Sequence, residues 1–147
     1  MTVRLAFETP QDLEKELSVA KKLEQSFQCK TEKNPKNYFI DFSCFRNEKL
    51  VAWLECRCRN NTSYKYPDYL LSAAKVVHGL QFSALAKVPF IFAVEFTDGI
   101  FWHSFKPIQY EIRYMRRSQN GQKWRNDPQD NEPCVVLNPN MLKRLNK

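Results

Sequence analysis

The sequence has no apolar run approaching the roughly 20 residues that a membrane-spanning helix needs, and its mean hydropathy is -0.58. This composition excludes a membrane span. The first eight residues, Met1 to Glu8, also lack a basic region followed by a long apolar stretch, which is the pattern of a secretory signal. We therefore expect a cytoplasmic protein.

Cysteine occurs five times, an odd number that cannot form a complete set of disulfides. Free thiols in a reducing compartment are the simplest interpretation. Cys44, Cys56 and Cys58 fall on one face of a predicted hairpin, which raises zinc binding as an alternative. A structural zinc site usually takes four ligands from two close pairs, and no histidine lies nearby in the sequence. Buried free thiols are therefore favoured.

Glycine is scarce, with three in 147 residues, whereas hydrophobic residues make up 43% and aromatic residues 14% of the chain. This length can bury a real core, and we expect one domain over residues 1–147. The net charge is +7, of which the nine basic and four acidic residues from Lys106 onward supply +5. Such a basic C-terminal third favours a polyanionic partner such as nucleic acid.

Hydrophobic periodicity predicts helices and strands alternating along the chain. The predicted helices cover residues 10–27, 66–87 and, for a turn or two, 140–146. The predicted strands cover residues 38–46, 50–59, 89–96, 100–105, 110–117 and 134–137. Polar stretches at 29–37 and 118–133 are predicted loops. The order is α-β-β-α-β-β-β-(β)-α, an α/β (α+β) fold in which helices pack on a mixed sheet.

The first predicted hairpin turns at Asn47-Glu48-Lys49, and pairing centred on Glu48 places Asp41 directly opposite Glu55. Side chains alternate between faces along a strand, so Asp41, Glu55 and Arg57 share one face. The other face is almost wholly apolar and is predicted to be core. Its residues are Ile40, Phe42, Cys44, Ala52, Leu54, Cys56 and Cys58.

Two carboxylates that face each other on neighbouring strands repel by up to about 1 kcal/mol. A divalent cation with oxygen ligands would relieve that repulsion, and Mg²⁺ typically binds one or two carboxylates together with water and phosphate. The alternative is a surface ion pair between one of the acids and Arg57 or Arg59.

This hairpin resembles the active-site hairpin of the PD-(D/E)XK nuclease superfamily. In that family an aspartate on one strand is followed, after a turn, by E-x-K on the next, and here Asp41 is followed by Glu55-Cys-Arg57. The resemblance extends to an upstream helix with Glu16, a following helix at 66–75, the strand pair of phage-type members at 88–102 and a closing strand at 132–137. It implies a restriction-endonuclease-like mixed sheet flanked by helices and a metal-dependent nuclease that acts on DNA.

The resemblance also implies roles for individual residues. Asp41, Glu55 and the backbone carbonyl of Cys56 would bind Mg²⁺ or Mn²⁺, and Glu16 would be an outer or second-metal ligand. Arg57 stands where the family has lysine, and it can stabilise charge on the phosphate but stays protonated. Lys75 is a second candidate for the role of the missing lysine, and a solvated helix lysine is its alternative.

Nucleic-acid contacts are expected from Arg59 and from the basic C-terminal third. The residues expected there are Arg116, Arg117, Lys123, Trp124 and Arg125. Arginine and lysine attract phosphates in a salt-dependent way, and an exposed tryptophan can stack on bases. Two alternatives remain open. The chain could be an inactive nuclease-fold protein that binds nucleic acid or a protein partner, or it could be a homodimer without nucleic acid.

Overall fold

The computed structural model describes residues 10–35, 38–116 and 131–145. The helices in these ranges are α1 (Pro10–Phe27) and α2 (Ala73–Ala86), with a short 3-10 helix at Pro139–Met141. The first five strands are β1 (Lys30–Lys33), β2 (Phe42–Arg46), β3 (Lys49–Cys58), β4 (Tyr69–Ser72) and β5 (Phe90–Phe96). They are followed by β6 (Gly99–Phe105), β7 (Ile112–Arg116), β8 (Asn131–Leu137) and β9 (Lys143–Arg144). Neither α1 nor α2 is long and apolar enough to cross a membrane.

The strands form two sheets in the described ranges. The larger sheet has the order β1-β2-β3-β5-β6-β9, and the smaller has the order β4-β8-β7. In the larger sheet β3 and β5 are parallel, while the other neighbours are antiparallel. A mixed sheet with helices packed on it is what the sequence predicts, and that prediction is confirmed.

Helix α1 covers one face of β2 and β3. Its predicted bounds agree with the observed ones, and the helix ends where Gln28 takes a left-handed conformation with φ 52°. The buried residues Val19, Ala20 and Leu23 pack against the apolar face of the first hairpin. The hairpin residues in this cluster are Phe42, Cys44, Ala52, Leu54 and Cys56.

Helix α2 covers the opposite face, so both faces of β3 are buried. Val76 packs in a second core cluster that contains Trp53, Phe90 and Phe92. Gly79 permits this close packing, because any other residue would place a Cβ atom 2.2 Å from Cδ2 of Phe90. The sequence predicts one apolar face of the hairpin, whereas the structure encloses the polar face as well.

The first hairpin turns over two residues rather than the predicted three. Asn47 and Glu48 both have positive φ, 51° and 65°, which is the conformation of the tight type I′ turn. A register shift between Cys44 and Phe45 offsets the shorter turn, so that Phe42 still pairs with Leu54 as the sequence predicts. The placement of Ile40 on the Phe42 face is wrong, because Ile40 packs in the cluster of Trp53.

Two segments that are predicted to be helical contain strands in the structure. Tyr69–Ser72 pairs with β8, so the predicted helix at 66–87 begins only at Ala73. The predicted helical turns at 140–146 are instead the end of the 3-10 helix and β9, which pairs with β6. Both strands exist because a distant segment supplies hydrogen-bond partners, which local periodicity does not reveal.

The second hairpin is confirmed. Strands β5 and β6 pair from Phe96 opposite Gly99 to Phe90 opposite Phe105, around a turn at Thr97 and Asp98. Strand β1 lies inside the predicted loop at 29–37 and pairs with β2, so that part of the loop prediction is wrong. Strand β8 likewise begins at Asn131, inside the predicted loop at 118–133. The remainder of that loop before β8, and the segment from Met1 to Glu8, lie outside the described residues.

Candidate active site

The candidate site lies at the open end of the first hairpin, which is the end opposite the turn at Asn47 and Glu48. Asp41 directly precedes β2, while Glu55 and Arg57 alternate along β3 on the face covered by α2. Glu55 is fully buried, at 0% exposure, and a carboxylate is rarely buried to this extent unless it is paired. A buried acid of this kind in the centre of a sheet marks a candidate functional position.

The guanidinium of Arg57 lies in the middle of the acidic groups. Its Nη1 is 3.2 Å from Oδ2 of Asp41 and 3.8 Å from Oε1 of Glu16, and its Nη2 is 2.5 Å from Oε2 of Glu55. Nη1 also donates a hydrogen bond to the carbonyl oxygen of Cys56, at 2.8 Å. Three carboxylates and one carbonyl therefore converge on a single positive charge.

Asp41 is held by its neighbours on both sides. The backbone N–H of Cys56 donates to Oδ2 of Asp41 at 3.1 Å, which ties the aspartate to β3. On the other side, the backbone N–H of Asn34 donates to the carbonyl of Asp41 at 2.8 Å. Nζ of Lys33 lies 3.9 Å from Oδ1. These contacts fix the carboxylate although Asp41 itself is outside the strand.

Lys75 projects from the first turn of α2 into the same site. Its Nζ lies 3.4 Å from Oε2 of Glu55 and donates to the carbonyl of Phe39 at 3.2 Å. The alternative interpretation of Lys75 as a solvated helix lysine therefore does not agree with these contacts. Lys75 and Arg57 both approach the same carboxylate oxygen.

Burial and the neighbouring charges shift the pKa values of both Glu55 and Arg57. Burial raises the pKa of Glu55 above its ordinary value, and the charge of Asp41 raises it further, although Arg57 and Lys75 act in the opposite direction. Burial alone would lower the pKa of Arg57, but Glu55 and Asp41 outweigh it and raise that pKa. Oε1 of Glu55 is buried and accepts no hydrogen bond from the described residues.

The donor atoms suit a hard divalent cation. Two carboxylates and the carbonyl of Cys56 are oxygen ligands of the kind that Mg²⁺ and Mn²⁺ prefer, and Oε1 of Glu55 is a buried acceptor without a donor. The described residues hold no group of three or more His, Cys, Asp or Glu side chains already placed around one ion position. These residues therefore fit a divalent cation through the chemistry of their donor atoms, and the guanidinium of Arg57 lies between those atoms.

The structure brings together six of the predicted site residues and leaves the others apart. Those brought together are Cys56, through its backbone carbonyl, and the side chains of Glu16, Asp41, Glu55, Arg57 and Lys75. Arg59 lies just beyond β3, and its guanidinium carbon is 5.4 Å from the ring centroid of Tyr69. Arg116 ends β7, in the smaller sheet. Arg117, Lys123, Trp124 and Arg125 lie outside the described residues.

Sequence reasoning missed two residues near the site. Lys33 was placed in a loop, because the run Lys-Thr-Glu-Lys of β1 has no apolar alternation that indicates a strand. Tyr69 was assigned to a helix, but it belongs to β4, and the charges of Arg59, Arg57 and Glu55 all act on its hydroxyl. The short apolar run at 69–71 is the signal that could have indicated a strand.

The carboxylate-bearing hairpin in a mixed sheet, with one helix on each face, defines a restriction-endonuclease-like fold. The sequence profile of the family described as "Phage putative PDDEXK endonuclease" matches residues 2–145. The chain therefore belongs to this phage family of the PD-(D/E)XK nuclease superfamily. Comparison with curated proteins and with solved structures finds no match.

Proposed function

We propose that the protein is a metal-dependent nuclease that hydrolyses phosphodiester bonds in DNA. The proposal rests on one observation. Asp41, Glu55 and the Cys56 carbonyl converge on one cation position, and the guanidinium of Arg57 occupies that position in the structure. Membership of a nuclease family supports the reaction class. The metal ion and the DNA substrate are parts of the proposal.

In the proposed mechanism, Asp41, Glu55 and the carbonyl of Cys56 would hold Mg²⁺ or Mn²⁺, and Glu16 would support the ion from α1. A bound divalent ion lowers the pKa of its water and neutralises charge that develops on the phosphate. Asp41 keeps its orientation through the N–H of Cys56. Glu55 would bind the ion as a carboxylate, and its Oε1, which accepts no hydrogen bond from the described residues, would then gain a ligand.

The cationic side chains act on the substrate. Arg57 leaves the space between the carboxylates and turns its guanidinium to the scissile phosphate, where it stabilises the negative charge of the transition state. Lys75, already 3.4 Å from Glu55, positions the attacking water or the phosphate. Arg59 and the basic residues of the C-terminal third hold the DNA backbone through salt-dependent contacts.

The test is cleavage of plasmid and linear DNA in Mg²⁺, in Mn²⁺ and in EDTA. We expect cleavage that needs a divalent ion and that falls about 100-fold or more in Asp41→Asn and in Glu55→Gln, because each removes a ligand. Glu14→Gln is the matched control, since Glu14 is an exposed acid on α1. Wild-type protein that cuts neither DNA form with either ion would overturn the proposal.

A second candidate function is nucleic-acid binding without catalysis. Arg57 favours it, because a guanidinium that stays between the carboxylates excludes a metal ion from the same space. Salt-dependent retention of DNA by wild-type protein, with no cleavage in either ion, would select this candidate. The described residues contain nothing that supports the alternatives of a homodimer or a protein partner.

We also propose that residues 1–147 act as one domain in the cytoplasm of the host cell, because that is where a phage nuclease meets DNA. Limited proteolysis tests the first part. A single stable fragment that retains both Asp41 and Glu132 is the expected result, and two separately stable halves would contradict it.

A further inference from the structure

We propose that a cavity beside the carboxylate site binds one unpaired base of the nucleic-acid strand, so that the substrate carries single-stranded segments or frayed ends. This inference rests on the proposed nuclease function and specifies its substrate class. The cavity encloses about 550 Å³, within the range of small-molecule sites in proteins. It lies between the segment that follows β3, the start of β4 and residues 137–142, and its walls include Arg59, Asn61, Tyr66, Tyr69, Phe96 and Leu137.

The cavity adjoins the site through β3. Arg59 follows Arg57 by two residues, and its N–H donates to the carbonyl of Glu95 at 2.8 Å, so the chain still runs alongside β5 there. Alternate residues of an extended chain lie about 7 Å apart on the same face. A strand whose phosphate contacts Arg57 therefore brings a neighbouring nucleotide to Arg59 and to the cavity.

The walls of the cavity suit a flat aromatic ring. Tyr66 is 58% exposed and lines the cavity, and Nζ of Lys65 lies 5.5 Å from its ring centroid. Tyr69 presents a second aromatic wall, and its ring packs 5.2 Å from that of Phe92. A base can stack on such a ring while lysine and arginine beside it contact the phosphates on either side.

The wall of the cavity also carries polar groups that can form hydrogen bonds with the edge of a base. Asp68 and Arg113, which both line the cavity, form an ion pair at 3.0 Å. The hydroxyl of Tyr69 interacts with the side chain of Arg59, which also lines the cavity, so this wall carries a hydroxyl and a guanidinium side by side.

A paired base cannot occupy this cavity, because its edges are engaged with the opposite strand and its faces lie inside the stack. Taking a base out of a duplex costs free energy, and the cost is least where the base is already unpaired. The cavity therefore favours single-stranded DNA and unpaired ends over a blunt, fully paired duplex.

The experiment is fluorescence titration of a single-stranded DNA oligonucleotide that contains 2-aminopurine, in EDTA so that the strand stays intact. We expect stacking to quench the fluorescence and Tyr66→Ala to weaken binding about tenfold, while Tyr66→Trp retains it. Tyr64→Ala is the matched control, because Tyr64 is 78% exposed in the same segment and does not line the cavity. Equal binding of the single strand and its blunt duplex, or equal behaviour of Tyr66→Ala and Tyr64→Ala, would overturn the proposal.

Failure of this inference and failure of the nuclease proposal give different results, because the titration needs no cleavage. Binding that depends on Tyr66 in a protein that cuts no DNA supports the base cavity and contradicts the nuclease. Metal-dependent cleavage together with unchanged binding by Tyr66→Ala contradicts the cavity and leaves the nuclease in place.

Discussion

At the scale of single residues, Arg57 decides how the site works. It replaces the lysine of the family motif and contacts Asp41, Glu55, Glu16 and the carbonyl of Cys56 through one guanidinium. A planar guanidinium can satisfy several oxygens at once, whereas an ammonium is a compact point charge. In the proposed metal site, Arg57 would therefore compete with the ion for the same oxygens more effectively than lysine would.

Arg57→Lys is expected to lower the Mn²⁺ concentration needed for half-maximal DNA cleavage by about tenfold, because lysine cannot bridge the carboxylates as a guanidinium does. The measurement is the cleavage rate as a function of Mn²⁺ concentration. Arg46→Lys, in the same hairpin but bonded to the backbone carbonyls of Phe27 and Gln28, is the control. An unchanged or higher Mn²⁺ requirement in Arg57→Lys would contradict this role.

Glu55 gives the folded protein a pH dependence that is the reverse of that of most acids. Burial, together with Asp41, raises its pKa above the ordinary value of 4.5. Between that value and the raised pKa, the folded state binds more protons than the unfolded chain, so the free energy of unfolding falls as the pH rises through this window. Below the ordinary value both states are protonated and this dependence disappears.

Glu55→Gln is therefore expected to remove a decline in stability that the wild-type protein shows as the pH rises above about 4.5. Urea unfolding in metal-free buffer, repeated at several pH values, measures it, with Glu14→Gln as the control. If the wild type and Glu55→Gln show parallel stability profiles, Glu55 does not carry the raised pKa.

At the scale of elements, the position of α2 on the sheet determines where Lys75 lies. The helix approaches β5 closely at Gly79, where a Cβ would lie 2.2 Å from the ring of Phe90. The sequence alone makes this glycine a mild weakness of a helix, because glycine costs up to about 1 kcal/mol relative to alanine. The structure shows that the glycine provides the space for helix and sheet to meet.

Gly79→Ala is expected to destabilise the protein by about 1–3 kcal/mol, since overpacking against Phe90 exceeds the gain in helix propensity. Because α2 would shift, Lys75 would also lose its contact with Glu55, and cleavage should fall. Urea unfolding measures the first effect. Gln81→Ala, exposed on the same helix, is expected to stay within about 0.5 kcal/mol of the wild type. A stabilised Gly79→Ala variant would show that the helix does not pack as closely as described.

Local patterns predicted the elements that have local causes. Helix α1 and the β5-β6 hairpin follow from periodicity and a short turn. The pairing of Phe42 with Leu54 agrees with the prediction because a register shift offsets a turn that is one residue shorter than predicted. Strands β1, β4 and β9 were missed, because each is defined by hydrogen bonds to a segment elsewhere in the sheets. Whether such a short segment forms a strand depends on its tertiary context.

At the scale of the whole molecule, the sequence placed five site residues in one region without showing how they meet. Asp41, Glu55 and Arg57 share a hairpin, so alternation was enough to group them. The contacts of Lys75 and Glu16 required α1 and α2 to pack on opposite faces of the sheet. That the guanidinium of Arg57 would take the position expected for a metal ion follows from side-chain geometry, which alternation does not describe.

The proposed nuclease requires that the oxygens around the Arg57 guanidinium bind a metal ion. A crystal soaked in Mn²⁺, recorded at a wavelength where manganese scatters anomalously, tests it most directly. We expect an anomalous peak about 2.0–2.3 Å from oxygens of Asp41, Glu55 and the Cys56 carbonyl, with the guanidinium of Arg57 displaced from between them. No peak at saturating Mn²⁺, with Arg57 still between Asp41 and Glu55, would contradict it.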